Sequence, residues 1–170
     1  MVAKQYWHYT VFEHLQSIVS DRMINTADTW VSRKVKRVVW FSTNPCWEKT
    51  VVKIVLNNET GMKTELRSRD ELFQFGLSGF NKEISPDKVN AFTPVRLEAD
   101  PEKVNLRSFQ NYKKSSGDSK SVIKGLVQTA KKWGANPKEW YVVYEDVLLS
   151  NISLIQRWNS EEWISMMKGG

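Results

Sequence analysis

Tyr6-Trp7-His8-Tyr9-Thr10, followed at once by Val11-Phe12-Glu13-His14-Leu15, changes its periodicity in mid-run. The aromatic residues of 5–10 read as a short strand. From there apolar residues recur at Val11, Phe12, Leu15, Ile18 and Val19, the spacing of one helix face. Thr10 and Glu13 have the separation of a capping box, so Thr10 is expected to start the helix and Asp21 to lie near its end. The second strand is predicted over 36–43, where Val38-Val39-Trp40-Phe41 is apolar without interruption. Between them, 23–34 reads as irregular, with Asn25, Thr26, Asp28 and Thr29 as turn formers.

Further along, Asn44-Pro45 favours a turn or a short helix in which Trp47 and Thr50 stand one turn apart. Val51–Leu56 reads as a strand, and Asn57-Asn58-Glu59-Thr60-Gly61 as a turn. Ser68-Arg69-Asp70-Glu71 is a second capping box, opening a helix through Phe75 that stops at Gly76. Residues 77–92 read as a long loop, and Val95–Ala99 as a strand. The clearest helix is 119–133, between Ser119 and Gly134, with Val122, Ile123, Leu126, Val127, Ala130 and Trp133 as its apolar stripe. Strands are expected at Trp140–Glu145, Ile152–Trp158 and Glu162–Met166, the last two joined at Asn159-Ser160. Strands and helices do not alternate regularly, and the last thirty residues are rich in strand. This predicts an α+β fold of mostly antiparallel sheets with flanking helices, as a single domain over 1–170. Neither G-x-G-x-x-G nor a P-loop is present, which removes the main support for Rossmann and P-loop readings.

A chain of 170 residues, 41% apolar and 26% charged, can bury a core of its own. Eight Trp is a high number, and large flat rings serve both cores and ring stacking. Cys46 is the sole cysteine, so no internal disulfide forms. Two histidines and one cysteine do not make a typical Cys/His zinc site, and no metal site is expected. No apolar run approaches the roughly 20 residues of a membrane span, and Met1-Val2-Ala3-Lys4-Gln5 has no signal-peptide character. A cytoplasmic protein without membrane partners is the expectation.

The net charge is +6 and the pI about 9.4. The charge is concentrated. Lys103, Arg107, Lys113, Lys114, Lys120, Lys124, Lys131 and Lys132 face only Glu102 and Asp118 within 101–133, and Arg33-Lys34-Val35-Lys36-Arg37 forms a second cluster. Such patches attract phosphate backbones or acidic proteins. Lys113, Lys114, Lys120, Lys124, Lys131 and Lys132 are therefore candidates for contact with nucleic acid or an acidic partner. A solvated, solubilising face explains the same residues.

Chemistry concentrates at the two N-terminal strands. His8 can offer one ring nitrogen to a ribose hydroxyl while the other is held by the protein. Tyr9 or Thr10 adds a hydroxyl. Trp40 and Trp47 can enclose a flat ring, with Phe41 beside Trp40 and with Ser42 and Thr43 in reach of a carboxamide or phosphate. Arg96 suits a pyrophosphate through paired hydrogen bonds. Each has a structural alternative: a satisfied strand histidine, a helix cap at Thr10, core packing at Trp40 and Phe41, and an ion-paired strand arginine. Cys46 with His8 or His14 is a weaker nucleophile constellation, since Cys46 between Pro45 and Trp47 reads as a small buried residue.

Trp7-His8-Tyr9-Thr10 with Leu15-x-x-Ile18-Val19 resembles the first strand and helix of the ADP-ribosyltransferases, and Val39-Trp40-Phe41-Ser42-Thr43 resembles the later strand whose aromatic stacks on nicotinamide. Trp140-Tyr141-Val142-Val143-Tyr144 is similar to the late strand of the poly-ADP-ribose-polymerase type. These blocks cover about a quarter of the chain. The pattern WHYT…VWFST…WE with a late Gly134-Ala135-Asn136-Pro137-x-x-Trp140 is also similar to a small bacterial and phage group. The resemblance implies a split, mostly antiparallel fold and NAD as substrate. It implies His8 on the NAD ribose and Trp40 on nicotinamide, with Trp47 as a second wall. ADP-ribose would pass to a nucleic acid or protein, in a setting of bacterial–phage conflict.

The family's catalytic glutamate aligns with Trp140, which departs from the pattern. Glu139 lies one residue early, and such a slip reverses the face of a strand unless a bulge restores it. Glu139 is the candidate catalytic carboxylate, with Glu145 and Glu98 as alternatives. Two other readings stand beside this one. The first is a non-catalytic binding module of the same fold. The second is a relative of the tRNA 2′-phosphotransferases, for which the N-terminal strand supplies the histidine but not the cluster of arginines.

Overall fold

The computed structural model describes residues 3–27, 34–79 and 89–168. The chain begins with β1 (Trp7–Val11), α1 (Phe12–Asp21), β2 (Met23–Ile24) and β3 (Val39–Ser42). A hairpin of β4 (Lys53–Leu56) and β5 (Lys63–Leu66) leads to α2 (Arg69–Gly79). Then come β6 (Pro94–Ala99), β7 (Arg107–Ser108), α3 (Phe109–Ser115) and α4 (Lys120–Trp133). The chain closes with β8 (Trp140–Val143), β9 (Val147–Leu148), β10 (Ile152–Trp158) and β11 (Trp163–Lys168). Seven strands form one sheet in the order β11-β10-β6-β1-β3-β8-β7, and β2-β9 and β4-β5 form two small ribbons. Every ladder among the described residues is antiparallel. The fold is α+β, as the irregular order of strands and helices predicts.

The period-two alternation of the strands divides the aromatics between two faces. On one face α1 lays Leu15 and Ile18 over Val39, Phe41, Val95, Leu97 and Ile155. On the other, Trp7, Ser42 and Trp140 share one cross-strand row. Two separate clusters grow from that row. Trp7, Tyr9, Trp47, Leu72 and Phe92 pack beneath α2 and the β4–β5 hairpin. Val38, Phe109, Tyr112, Ala130, Trp140 and Val142 pack beneath α3 and α4. The sheet is weakest between these clusters. β1 matches β6 over five residue pairs, from Trp7↔Glu98 to Val11↔Pro94, but meets β3 through the single pair Trp7↔Ser42.

Several sequence expectations are corrected in detail. Thr10 does not cap α1. The N-cap is Val11 without a side-chain bond, because the N–H groups of Phe12 and Glu13 already reach the carbonyls of Thr93 (2.9 Å) and Ala91 (3.1 Å). The backbone of a distant segment takes the capping role. Ser68 and Glu71 do form the reciprocal box, but α2 runs past Gly76 to Gly79. Met23–Ile24 is a strand inside the segment read as irregular, and most of the loop expected over 77–92 lies outside the described residues. β5, β7 and α3 were not foreseen. α4 is capped by Ser119 and closed by Gly134 in the left-handed region (φ 68°), yet Val122 and Val127 of its expected stripe are exposed. Cys46, read as buried, is exposed.

Candidate functional site

Between the two clusters, where β1 and β3 part, lies a cavity of about 310 Å³. Trp7, Tyr9, Trp40, Ser42 and Trp140 form its strand-borne floor, with His8 and Phe41 at the parting. Glu48, Thr50 and Val51 make one wall, and Leu126 and Thr129 of α4 the opposite one. The volume lies at the lower end of the range of small-molecule sites, and apolar walls with a few fixed polar groups are their usual lining.

The segment after β3 supplies the polar wall, and its course follows from local chemistry. The Asn44 side-chain oxygen accepts from the N–H groups of Cys46 (3.0 Å) and Trp47 (3.3 Å), an Asx-type turn in place of a helix. Tyr9 donates its hydroxyl to the Asn44 carbonyl (2.5 Å), and Arg96 donates to the Pro45 carbonyl. Trp47 is drawn into the core, where its indole N–H finds the Arg67 carbonyl at 2.9 Å. Glu48 follows it inward and is only 7% exposed. One Glu48 oxygen accepts from the Ser42 hydroxyl (2.8 Å); the other accepts from the Thr50 hydroxyl (2.8 Å) and the Thr50 N–H (3.2 Å). No lysine or arginine among the described residues is within salt-bridge distance of it.

His8 spans the parting. Its Nδ1 is 3.0 Å from the Trp40 carbonyl, and since a carbonyl can only accept, Nδ1 carries the hydrogen. Burial pushes the ring's pKa down, against the opposing effect of that bond. The ring is held neutral with Nε2 as an acceptor. Its centroid lies 5.9 Å from that of Phe41. Trp40 stands 4.9 Å from Tyr112 and 6.1 Å from Trp140, centroid to centroid, within the aromatic cluster under α3 and α4. Trp7 and Trp140 both line the cavity and are 2% and 5% exposed; neither indole N–H meets an acceptor among the described residues.

Five of the residues singled out from the sequence meet at the cavity: His8, Tyr9, Trp40, Phe41 and Ser42. Thr10 is buried beside it, 3.3 Å from His14 Nδ1. Trp47 lies behind the wall, its ring near parallel to that of Trp163. The Arg96 guanidinium is enclosed, 3.9 Å from the Trp7 ring and 4.5 Å from that of Trp163, and bonded to Gln156 at 2.8 Å. Glu139 sits in a 3₁₀ turn, its carboxylate 3.5 Å from the Asn136 amide, and is not among the lining residues. Glu145 is exposed and Glu98 half-buried at the β6 edge of Trp7. Lys113, Lys114, Lys120, Lys124, Lys131 and Lys132 are all exposed, the last four on the helix that walls the cavity.

Glu48, Thr50, Trp7 and Trp140 were not read as site residues. The one sequence signal for Glu48 was its place in the WFST…WE pattern. No helix among the described residues is long and apolar enough to cross a membrane. Compared with protein-family models, curated proteins and solved structures, the chain matches none.

Proposed function

We propose that this chain is a cytoplasmic ADP-ribosyltransferase that binds NAD at the parting of β1 and β3. It would transfer ADP-ribose to a nucleic acid or protein acceptor, in bacterial–phage conflict. The observation that carries this is convergence. His8, Tyr9, Trp40, Phe41 and Ser42, from the two strands that resemble the family's nucleotide-binding strands, line one cavity. The cavity suits the substrate's chemistry. Trp rings offer faces to a flat heterocycle. Neutral His8 carries an acceptor at Nε2, which suits a ribose hydroxyl. The indole N–H groups of Trp7 and Trp140 meet no acceptor among the described residues, and a carboxamide supplies one. Favouring positive charge as it develops at the ribose calls for a carboxylate close by.

Incubation of the protein with labelled NAD and separate pools of DNA, RNA and lysate proteins tests this reading. Label in one pool supports the transferase and names the acceptor class, and His8→Ala and Trp40→Ala should each abolish it. No label and no released nicotinamide would refute it.

A second reading has its own support. Lys120, Lys124 and Lys131 are exposed and form no ion pair among the described residues. A non-catalytic module would use them to hold nucleic acid, with salt-sensitive affinity and no response to NAD.

A further inference from the structure

The cavity combines two features that favour the same kind of ligand. The first is a carboxylate without a counter-ion. Glu48 is 7% exposed, fixed at both oxygens by Ser42 and Thr50, and has no cation within salt-bridge distance among the described residues. Removing an ion from water is costly unless hydrogen bonds and an opposite charge offset it. Ser42 and Thr50 supply the hydrogen bonds, and no described lysine or arginine lies within salt-bridge distance of the carboxylate. The second is the aromatic lining. Tyr9, Trp40 and Trp140 border the same space, together with Trp7, whose ring already meets the Arg96 guanidinium at 3.9 Å, and ring faces attract cations most strongly where water is excluded. Glu48 thus sets a carboxylate beside these rings in a chain whose net charge is +6.

We infer that the cavity selects a flat, positively charged heterocycle, with the Glu48 carboxylate as its charge-selecting group. The recognised form is a pyridinium or similarly charged aromatic ring, and the neutral form of the same ring is disfavoured. The basic exterior of α4 beside the opening suits an anionic extension of the ligand, so the preferred molecule is cationic at the ring and anionic beyond it. Applied to the NAD reading on which it builds, the inference predicts oxidised over reduced dinucleotide. The charge preference itself does not require that any transfer occur.

The test is titration calorimetry of the intact chain with 1-methylnicotinamide, which is cationic, and with nicotinamide, its neutral counterpart. The cation is expected to bind at least about tenfold more tightly. Glu48→Gln should bring the two affinities together. Because that variant disturbs the three hydrogen bonds of a buried carboxylate, Thr129→Trp is a second probe: an exposed helix position enlarged towards the cavity should exclude both ligands while the fold is kept. Equal affinities in the wild-type protein, a preference for the neutral ring, or unchanged binding in Thr129→Trp would overturn the inference. Label transfer from NAD without charge preference would sink this inference alone. Charge preference without transfer would leave it standing and sink the enzyme.

Discussion

Arg96 is held on every side of its guanidinium that the structure describes. Its guanidinium lies between the rings of Trp7 and Trp163, while its fork reaches Gln156 and the Pro45 carbonyl. Only a planar cation fits both the stack and the fork, so lysine is no substitute. Arg96→Ala should cost about 3 kcal/mol or more in urea unfolding, and Arg96→Lys should recover little of it. His8 makes a different prediction. Burial lowers the ring pKa of His8, and burial followed by Lys53 lowers that of His14. The unfolded chain therefore takes up protons near the ordinary value of 6.5 while the folded chain does not. Stability should be full above that pH and fall as the pH drops below it. Melting curves from pH 8 to 5 should show the decline, and His8→Asn, whose amide can still reach the Trp40 carbonyl, should flatten it in part. At this scale the sequence was partly legible. His8 and Trp40 stood out by residue type and strand position. Glu48 did not, because a glutamate is expected outside. Its burial depends on Trp47 being pulled inward by a turn and a distant carbonyl.

Elements with a sustained period were readable: α1, α4, β1, β3 and β10 fall where their apolar spacing places them. Two-residue strands such as β2 and β9 have no period to read, and β5, Lys63-Thr64-Glu65-Leu66, is polar because it lies in a ribbon outside the main sheet. That ribbon leaves Ile54, Leu56 and Met62 more than half exposed. Ile54→Lys should change stability by less than about 0.5 kcal/mol and reduce self-association in light scattering. Gly117, between α3 and α4, should be intolerant. Its φ is +85°, and an added Cβ would press on the Lys34 carbonyl. Gly117→Ala is expected to cost more than about 1 kcal/mol, measured by thermal unfolding. Ser119→Ala, which removes a helix cap, should cost about 1 kcal/mol by the same measurement.

For the whole molecule, fold class was legible and strand order was not. The order β11-β10-β6-β1-β3-β8-β7 places strands far apart in sequence side by side, and nothing local in a strand names its neighbour. The charge pattern was legible, and it gives a prediction at this scale. If α4 contacts nucleic acid, Lys124→Glu and Lys131→Glu should each weaken binding for all sequences alike. Each should also reduce the slope of log affinity against log salt by about one. Filter binding at several salt concentrations would show this, and a slope unchanged by either substitution would remove α4 from the interface.

The lone ladder pair between β1 and β3 makes the sheet two leaves joined by a seam. One leaf is β11-β10-β6-β1 and the other β3-β8-β7, and below Trp7 the core under α1 and the His8 ring, rather than a run of backbone bonds, bridge them. Slow amide exchange is the property of strands bonded on both edges, so the inner edges of this seam should exchange hydrogen sooner than the β1–β6 ladder beside them. The seam is where a guest molecule would register as protection, in the rates of a handful of amides.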